Sequence, residues 1–360
     1  MLRPFRWRLV FAAGVCMLGA TALAAQLRPA SLPPAVSTPV VSLDAAGDAG
    51  AGLPRLYSLL VSWRGELLLE RYYNGARATR PANIKSAAKS VISALVGIAI
   101  EQGALEGVRQ PIAAFFPDHL QGDNNSAKRV ITIEDLLTMR SGLESTSNIN
   151  YGAWVQSGNW VRHALTRSLI HLPGTEMVYS TGNTHLLSAI LTKSTGGSTW
   201  QFAQEALAKP LGFSLPQWPR DPQGIYFGGN DMLLTPRQML AFGETYLNGG
   251  RSGEKQIVPA AWVKASLVPR VQSRREADRY YGYGWWIREL GGRQAIYAWG
   301  YGGQYIFLVP SLDLVVVTTS SSSVGEERRG HRMTVFDLVE HLIIAPVAAT
   351  NSATAARRVQ

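Results

Sequence analysis

Residues 282–320 read GYGWWIRELGGRQAIYAWGYGGQYIFLVPSLDLVVVTTS. Within them GYGWWIREL (282–290), RQAIYAW (293–299), QYIFLVP (304–310) and LDLVVVTTS (312–320) are short runs rich in β-branched and aromatic residues, with Gly- or Pro-bearing turns between them. That spacing predicts four consecutive antiparallel strands. Near the other end, LYSLLVSW (56–63), Arg64-Gly65 and ELLLERYY (66–73) predict a hairpin. In between, the apolar period becomes helical over 86–102, 134–140, 184–195, 199–208 and 236–247, and a further helical pattern covers 334–344. Strands from both ends with helices between them imply an α+β fold. One antiparallel sheet is assembled from distant segments and flanked by helices, an all-helical subdomain is inserted, and a cleft lies at the seam.

The composition narrows the function. A chain of 360 residues with 46% apolar and 17% charged residues is neither disordered nor a coiled coil. A mean hydropathy of −0.00 with one stretch approaching a membrane span excludes a polytopic membrane protein. Cys16 is the single cysteine, so no disulfide framework or cysteine-based zinc site can be built. The formal net charge is +10. Its densest clusters, around Arg274-Arg275 and Arg328-Arg329, are interleaved with acidic residues and read as solvated loops. With no basic face interleaved with aromatics, no nucleic-acid partner is expected.

The N-terminus reads as an export signal over residues 1–25. MLRPFRWR is basic, Leu9 to Ala25 carries no charge, and Ala22-Leu23-Ala24 gives a small-residue cleavage site. A periplasmic or secreted location follows, with an N-terminal membrane anchor as the outcome if the signal stays uncleaved. Residues 26–52, rich in Pro, Ala, Ser and Gly, read as a linker. The folded domain is expected over 53–345, followed by a disordered tail at 346–360.

The segment SAAKSVISALVGIAI (86–100) is apolar almost all round and predicts a buried central helix whose only charge is Lys89. Burying an ammonium costs several kcal/mol unless it is paired or neutralised. The bland alternative is a lysine that snorkels to the surface. Ser86, three residues earlier, shares a helix face with Lys89. It falls at the expected first turn, where free N–H groups and the helix dipole favour a developing anion. A serine, an amine and an anion-friendly N–H suit acyl transfer. The pattern alone is weak. With 28 serines and 7 lysines, chance predicts about half an occurrence, and a second copy, Ser252-Gly253-Glu254-Lys255, sits in a Gly-rich polar turn. Burial distinguishes the first.

Tyr179 precedes a helix expected to start near Asn183, with Ser180, Thr181 and Asn183 as cap residues. By itself it reads as a half-buried aromatic. Beside a lysine ammonium its pKa would fall and it would serve as a base. In AWGYGGQYIFLVP (298–310), Gly300, Gly302 and Gly303 open a strand and permit close backbone approach to a ligand.

Together these segments resemble the serine β-lactamase-related hydrolases, the group of class C β-lactamases, family VIII-type esterases, D-peptidases and 6-aminohexanoate-oligomer hydrolases. The resemblance spans nearly all of Leu53 to Ala345. Ser86-x-x-Lys89 matches the nucleophile motif, and Tyr179-Ser180-Thr181 falls where the family has Tyr-x-Asn or a variant. ITIEDLLTMRSGL (131–143), LLTPRQMLAFGETYLNGG (233–250), IVPAAWV (257–263) and YGYGWW (281–286) resemble scaffold segments. The chain departs from the pattern twice. Thr181 replaces the usual Asn, and Gly300-Tyr301-Gly302-Gly303 stands where a Lys-Thr-Gly or His-x-Gly motif holds a β-lactam carboxylate. The resemblance therefore implies ester or amide hydrolysis over β-lactam hydrolysis. It assigns Ser86, Lys89 and Tyr179 to catalysis and Thr181, Tyr301 and Gly302 to substrate binding, with the backbone N–H of Tyr301 completing an oxyanion hole. No cofactor or metal is implied. The six histidines, His119, His163, His171, His185, His331 and His341, show no tight metal spacing, and no Gly-x-Ser-x-Gly elbow occurs. The expected function is an exported serine hydrolase acting on a small ester, amide or peptide-like substrate, with Lys89 and Tyr179 as a coupled base. The alternatives are a β-lactamase or a penicillin-binding sensor that acylates with slow or no turnover, and, for the mechanism, a neutral Lys89 as the base with Tyr179 only donating to the leaving group.

Overall fold

A computed structural model describes residues 41–120, 126–325 and 327–359. The expected signal lies outside these residues. Among the described residues eight strands form one antiparallel sheet: β1 (Leu56–Trp63), β2 (Glu66–Tyr72), β3 (Val271–Gln272), β4 (Tyr280–Tyr281), β5 (Trp286–Leu290), β6 (Arg293–Gly300), β7 (Gln304–Val309) and β8 (Leu314–Ser320). Their spatial order is β2-β1-β8-β7-β6-β5-β4-β3. The seam between distant segments is the β1–β8 ladder, with Leu60 opposite Val317 and Trp63 opposite Leu314.

The central strands are apolar without a break because both faces are covered. In β7, Ile306 and Leu308 join one core while Tyr305, Phe307 and Val309 join the other. The first core holds α2 (Ala88–Glu101), α3 (Thr181–Ser194) and α4 (Pro236–Leu247). The second holds α5 (Glu327–Val339) and, through Val347, α6 (Ala345–Val359). The helical stretch Glu327–Ser352 is long and apolar enough to cross a membrane. Here Val335, Phe336, Val339, Ile343 and Ile344 bury part of that surface against the sheet.

Three expectations are corrected. The strand read at 282–290 begins only at Trp286, because Gly284 turns with φ +80° against the Lys89 carbonyl, and Ser90 Oγ donates to the Gly284 carbonyl at 2.7 Å. The region read as a linker ends in an ordered helix, α1 (Asp44–Ala51). Its Ala and Gly residues form a close-packing face, with Gly50 against Tyr73 and the Tyr73 hydroxyl donating to the Gly47 carbonyl at 2.9 Å. The region read as a frayed tail is α6, whose Val347 is fully buried; its alanines are strong helix formers. The inserted subdomain also contains helices absent from the sequence reading, including Trp160–Thr166 and Ala260–Ser266.

The last of these helices grips α2. A β-carbon at Gly97 would fall within the Trp262 ring. Gly→Ala in a helix interior gains up to about 1 kcal/mol from propensity. Here overpacking should outweigh it, and Gly97→Ala should destabilise the protein by about 1–3 kcal/mol in urea unfolding. A variant as stable as the wild type would show that the two helices are not in close contact.

Candidate active site

The nucleophile candidate is presented by a strained turn. Ala82–Asn83 pairs with Leu233–Leu234, and Ile84 N–H donates to the Met232 carbonyl at 2.9 Å. The chain then passes through Lys85 at φ +50°, a conformation unusual for a residue with a side chain. Its N–H donates to Asn83 Oδ1 at 3.0 Å, and its amine donates to Asp231 Oδ1 at 2.8 Å. Asn83 Nδ2 donates to the same oxygen at 2.7 Å. Ser86 follows in a 3-10 turn, Lys85–Ala87, that runs into α2. Gly300 at the end of β6 packs its bare Cα on the Ile84 carbonyl, which sets the sheet edge beside this turn.

Lys89 is 1% exposed, so it does not snorkel. Its Nζ lies 2.6 Å from the Gly229 carbonyl, 3.0 Å from Ser86 Oγ and 3.4 Å from Thr181 Oγ1. None of these atoms is a carboxylate. Burial pushes the amine down from 10.5 to about 7, and the nearby Asp231 charge opposes the fall.

Tyr179 is half-buried ahead of α3 and stacks on Trp286 at 5.7 Å between centroids. The Lys89 Nζ faces its ring, 5.1 Å from the centroid. Burial pushes the Tyr179 phenol up to about 12, opposed by a hydrogen bond with the Ser86 side chain. The expectation of a depressed tyrosine is therefore corrected. The amine approaches the ring face, loss of water dominates, and the group driven toward neutrality within the ordinary pH range is Lys89.

Thr181 is 4% exposed, and besides its contact with Lys89 it shares a 2.9 Å hydrogen bond with Ser147 Oγ. Its hydroxyl thus supplies a contact to the lysine where the resemblance led one to expect a missing amide. Ser86, Tyr179, Thr181 and Tyr301 line one cleft of about 1180 Å³, with Trp286 and Trp299 among its walls. Gly302 is not among its lining residues. It is buried at φ +93°, and a β-carbon there would meet the Ser321 carbonyl. The second Ser-x-x-Lys copy lies in an exposed hairpin, Arg251–Ser252 with Lys255–Gln256.

Sequence reasoning missed Asn83, Lys85, Gly229 and Asp231. A weak signal existed, since a buried lysine demands oxygen acceptors and Gly228-Gly229-Asn230-Asp231 supplies bare backbone and a carboxylate. It also missed the buried His185–Asp221 pair, 3.0 Å apart and both fully buried. Asp221 Oδ1 accepts from the N–H groups of Gln223 and Ile225, and Gly228 N–H points to His185 Nδ1 at 3.5 Å. That ties the segment ahead of Gly229 to α3. Among the described residues no group of three His, Cys, Asp or Glu side chains is placed to hold a metal ion.

The antiparallel sheet, the helical insert and the cleft between them define the β-lactamase and penicillin-binding-protein class of fold. The chain belongs to the Beta-lactamase family, which it matches over residues 54–340. No curated protein sequence gives a significant match. Among solved structures it is similar to a Bacillus anthracis protein assigned as a 6-aminohexanoate-dimer hydrolase, with 21% identity and a TM-score of 0.66 over 83% of this chain and 82% of that one. EstCE1, described as a hydrolase with promiscuous acyltransferase activity, is 18% identical with a TM-score of 0.66 over 83% and 97%. A D-stereospecific amidohydrolase from a Streptomyces species is 14% identical with a TM-score of 0.61 over 83% and 98%. At these identities the likeness is one of fold.

The buried amine makes stability depend on pH. The folded value, about 7, lies below the unfolded one, 10.5. Between them the unfolded chain holds a proton that the folded chain lacks, so this group's contribution rises with pH. Relative to Lys89→Met, the wild type should lose stability as pH falls from about 10.5 to about 7, by at most on the order of 5 kcal/mol. Urea unfolding of both proteins across that window checks this. A pH-independent difference would mean that the amine titrates as it does in water.

Proposed function

We propose that the chain is an exported serine hydrolase that cleaves an ester or amide through an acyl-enzyme on Ser86. The observation that carries this reading is the meeting of Ser86 with the buried amine of Lys89, 3.0 Å apart, on the wall of a cleft. A neutral lysine has two N–H donors and one lone pair. With the donors on the Gly229 carbonyl and Thr181 Oγ1, the lone pair is left for the Ser86 proton. Ser86 Oγ then attacks the acyl carbon, and the developing oxyanion meets the Ser86 N–H at the turn and the N–H of Tyr301. Tyr179, held protonated, gives its proton to the leaving group and is reprotonated by the Lys89 ammonium. In deacylation a water gives its proton to the same relay, attacks the acyl carbon and frees Ser86. This division of labour follows the neutral-lysine alternative. The hydrolase, acyltransferase and amidohydrolase activities named for similar folds support the reaction type.

Four measurements test the reading. An acylating fluorophosphonate should label Ser86 once, and Ser86→Ala should abolish both labelling and turnover; a burst of labelling without turnover would favour a sensor. kcat/KM should rise with pH through about 7 as Lys89 becomes neutral and stay level to pH 10, because Tyr179 loses its proton only near 12. Tyr179→Phe should lower kcat by about 10²–10⁴-fold on an alkyl ester or amide, and far less on a 4-nitrophenyl ester, whose leaving group needs no proton. Equal losses on both would remove Tyr179 from the acid role. Export with cleavage near Ala24 is part of the proposal, and intact-mass measurement of protein from the native host checks it. A soluble cytosolic product still starting at Met1 would refute it.

A further inference from the structure

The two basic clusters that read as separate solvated loops converge on one cleft. Arg274 and Arg275 lie between β3 and β4, at the edge of the sheet, and Arg328 and Arg329 lie at the start of α5. All four line the cleft that contains Ser86, as do Arg279 and Arg332. Among the described residues the single carboxylate in that lining is Glu276. It is already engaged three times: it accepts from Arg279, lies 3.4 Å from Arg332 Nη1, and lies 3.9 Å from Arg288 Nη1. These pairs fasten the β3–β4 loop to α5. They leave Arg274, Arg275, Arg328 and Arg329 without a carboxylate partner among the described residues, which do not include Glu326.

Arg328 and Arg274 rest on ring groups instead of carboxylates. Arg328 lies over the Tyr301 ring at 4.3 Å, and its Nε is buried without a partner. Arg274 Nη1 is 3.2 Å from His171 Nε2. Arg279, 4% exposed and paired with Glu276, lies over Trp286 at 5.2 Å and Trp299 at 5.3 Å and so carries the positive charge into the apolar wall of the cleft. Stacking fixes a guanidinium plane and leaves its fork of donors free for a carboxylate or phosphate. Like charges gathered at one cleft repel each other, a cost that a solvated surface has no need to carry. A bound anion would remove that cost.

We infer that the arginines of the β3–β4 loop and the start of α5 form an anion subsite in the cleft, so that the substrate is an ester or amide carrying a carboxylate or phosphate group away from the scissile bond, with its apolar stem on Trp286 and Trp299. This rests on Ser86 being the nucleophile, and it gives the substrate class for that reaction. It also assigns a function to Tyr301 beyond its backbone, since its ring supports Arg328.

Matched 4-nitrophenyl esters of the same chain length test it in the full exported chain: the hexanoate, the adipate monoester and the 6-phosphonohexanoate. At low salt the wild type should turn over at least one anionic ester with a kcat/KM about tenfold or more above the hexanoate, and the ratio should shrink in 0.5 M salt. Arg328→Gln/Arg329→Gln and Arg274→Gln/Arg275→Gln should each bring the ratio down severalfold. A larger ratio for the phosphonate assigns a doubly charged group; a larger one for the adipate assigns a carboxylate. Titration calorimetry with free 6-phosphonohexanoate reads the subsite without turnover. Arginine-dependent binding with no hydrolysis of any ester would sink the hydrolase reading and leave the subsite standing. Hexanoate turnover with a ratio near one, or a ratio or binding unchanged in both double variants, would overturn the subsite itself.

Discussion

A single amine buried in an apolar helix sets the terms for the surrounding structure. α2 is buried along almost its whole length, and the one nearby partner in sequence for the Lys89 amine is the Ser86 hydroxyl in the turn before it. The other oxygens come from elsewhere: Gly229 from the segment leading to the Leu233–Leu234 ladder, and Thr181 from the start of α3. Leaving such a group unpaired would cost several kcal/mol. The three segments are therefore held in register by the same need. Gly229 also has to come close, since a β-carbon there would collide with Thr181 and Thr184. The His185–Asp221 pair lies one layer behind and fixes the approach of that segment.

The sheet supplies the fixed frame for this arrangement. Gly300 lets β6 rest on the Ile84 carbonyl, and Gly284 lets the turn before β5 rest on the Lys89 carbonyl. Both contacts are backbone to backbone. The Ser86 turn and the first turn of α2 thus take their positions from strands rather than from mobile side chains. The strained Lys85 conformation is tied down by Asn83 and Asp231 in the same way. A residue held off its preferred backbone region persists only where its surroundings over-determine it.

What was legible in the sequence follows from this anatomy. Ser86 and Lys89 could be read because a charge on an apolar helix violates a local rule. The four consecutive strands could be read because each is long enough to show a pattern and is bounded by turn residues. Strands β3 and β4 have two residues each, too few for any period, so the edge hairpin was invisible. The meeting of Arg274-Arg275 with Arg328-Arg329 was invisible with it. Asn83, Lys85 and Asp231 form a cluster only through a two-residue ladder between distant segments. The terminal helices were missed for the opposite reason. Ala- and Gly-rich sequence looks like a linker, yet small residues are what allow Gly47 and Gly50 to pack against Tyr73 and β2.

The direction of the Tyr179 shift is the most informative departure. In water a lysine and a tyrosine have nearly equal pKa values, 10.5 and 10.0, and neither is a useful base or acid toward the other near neutral pH. Removing water penalises whichever form is charged. For lysine that is the protonated form, and its value falls to about 7; for tyrosine it is the deprotonated form, and its value rises to about 12. One cause thus shifts two similar groups in opposite directions, and the proposed mechanism uses one as base and the other as acid. Separation of this kind marks the assignment of acid and base in a site. An ammonium–phenolate pair would have required both groups to be charged in the same dry pocket. Among the described residues the carboxylate charge that opposes the fall of Lys89 is that of Asp231, and Asp231 is engaged by the Lys85 amine at 2.8 Å. Lys85 therefore does more than present Ser86: by neutralising Asp231 it limits the field that would hold the Lys89 proton in place.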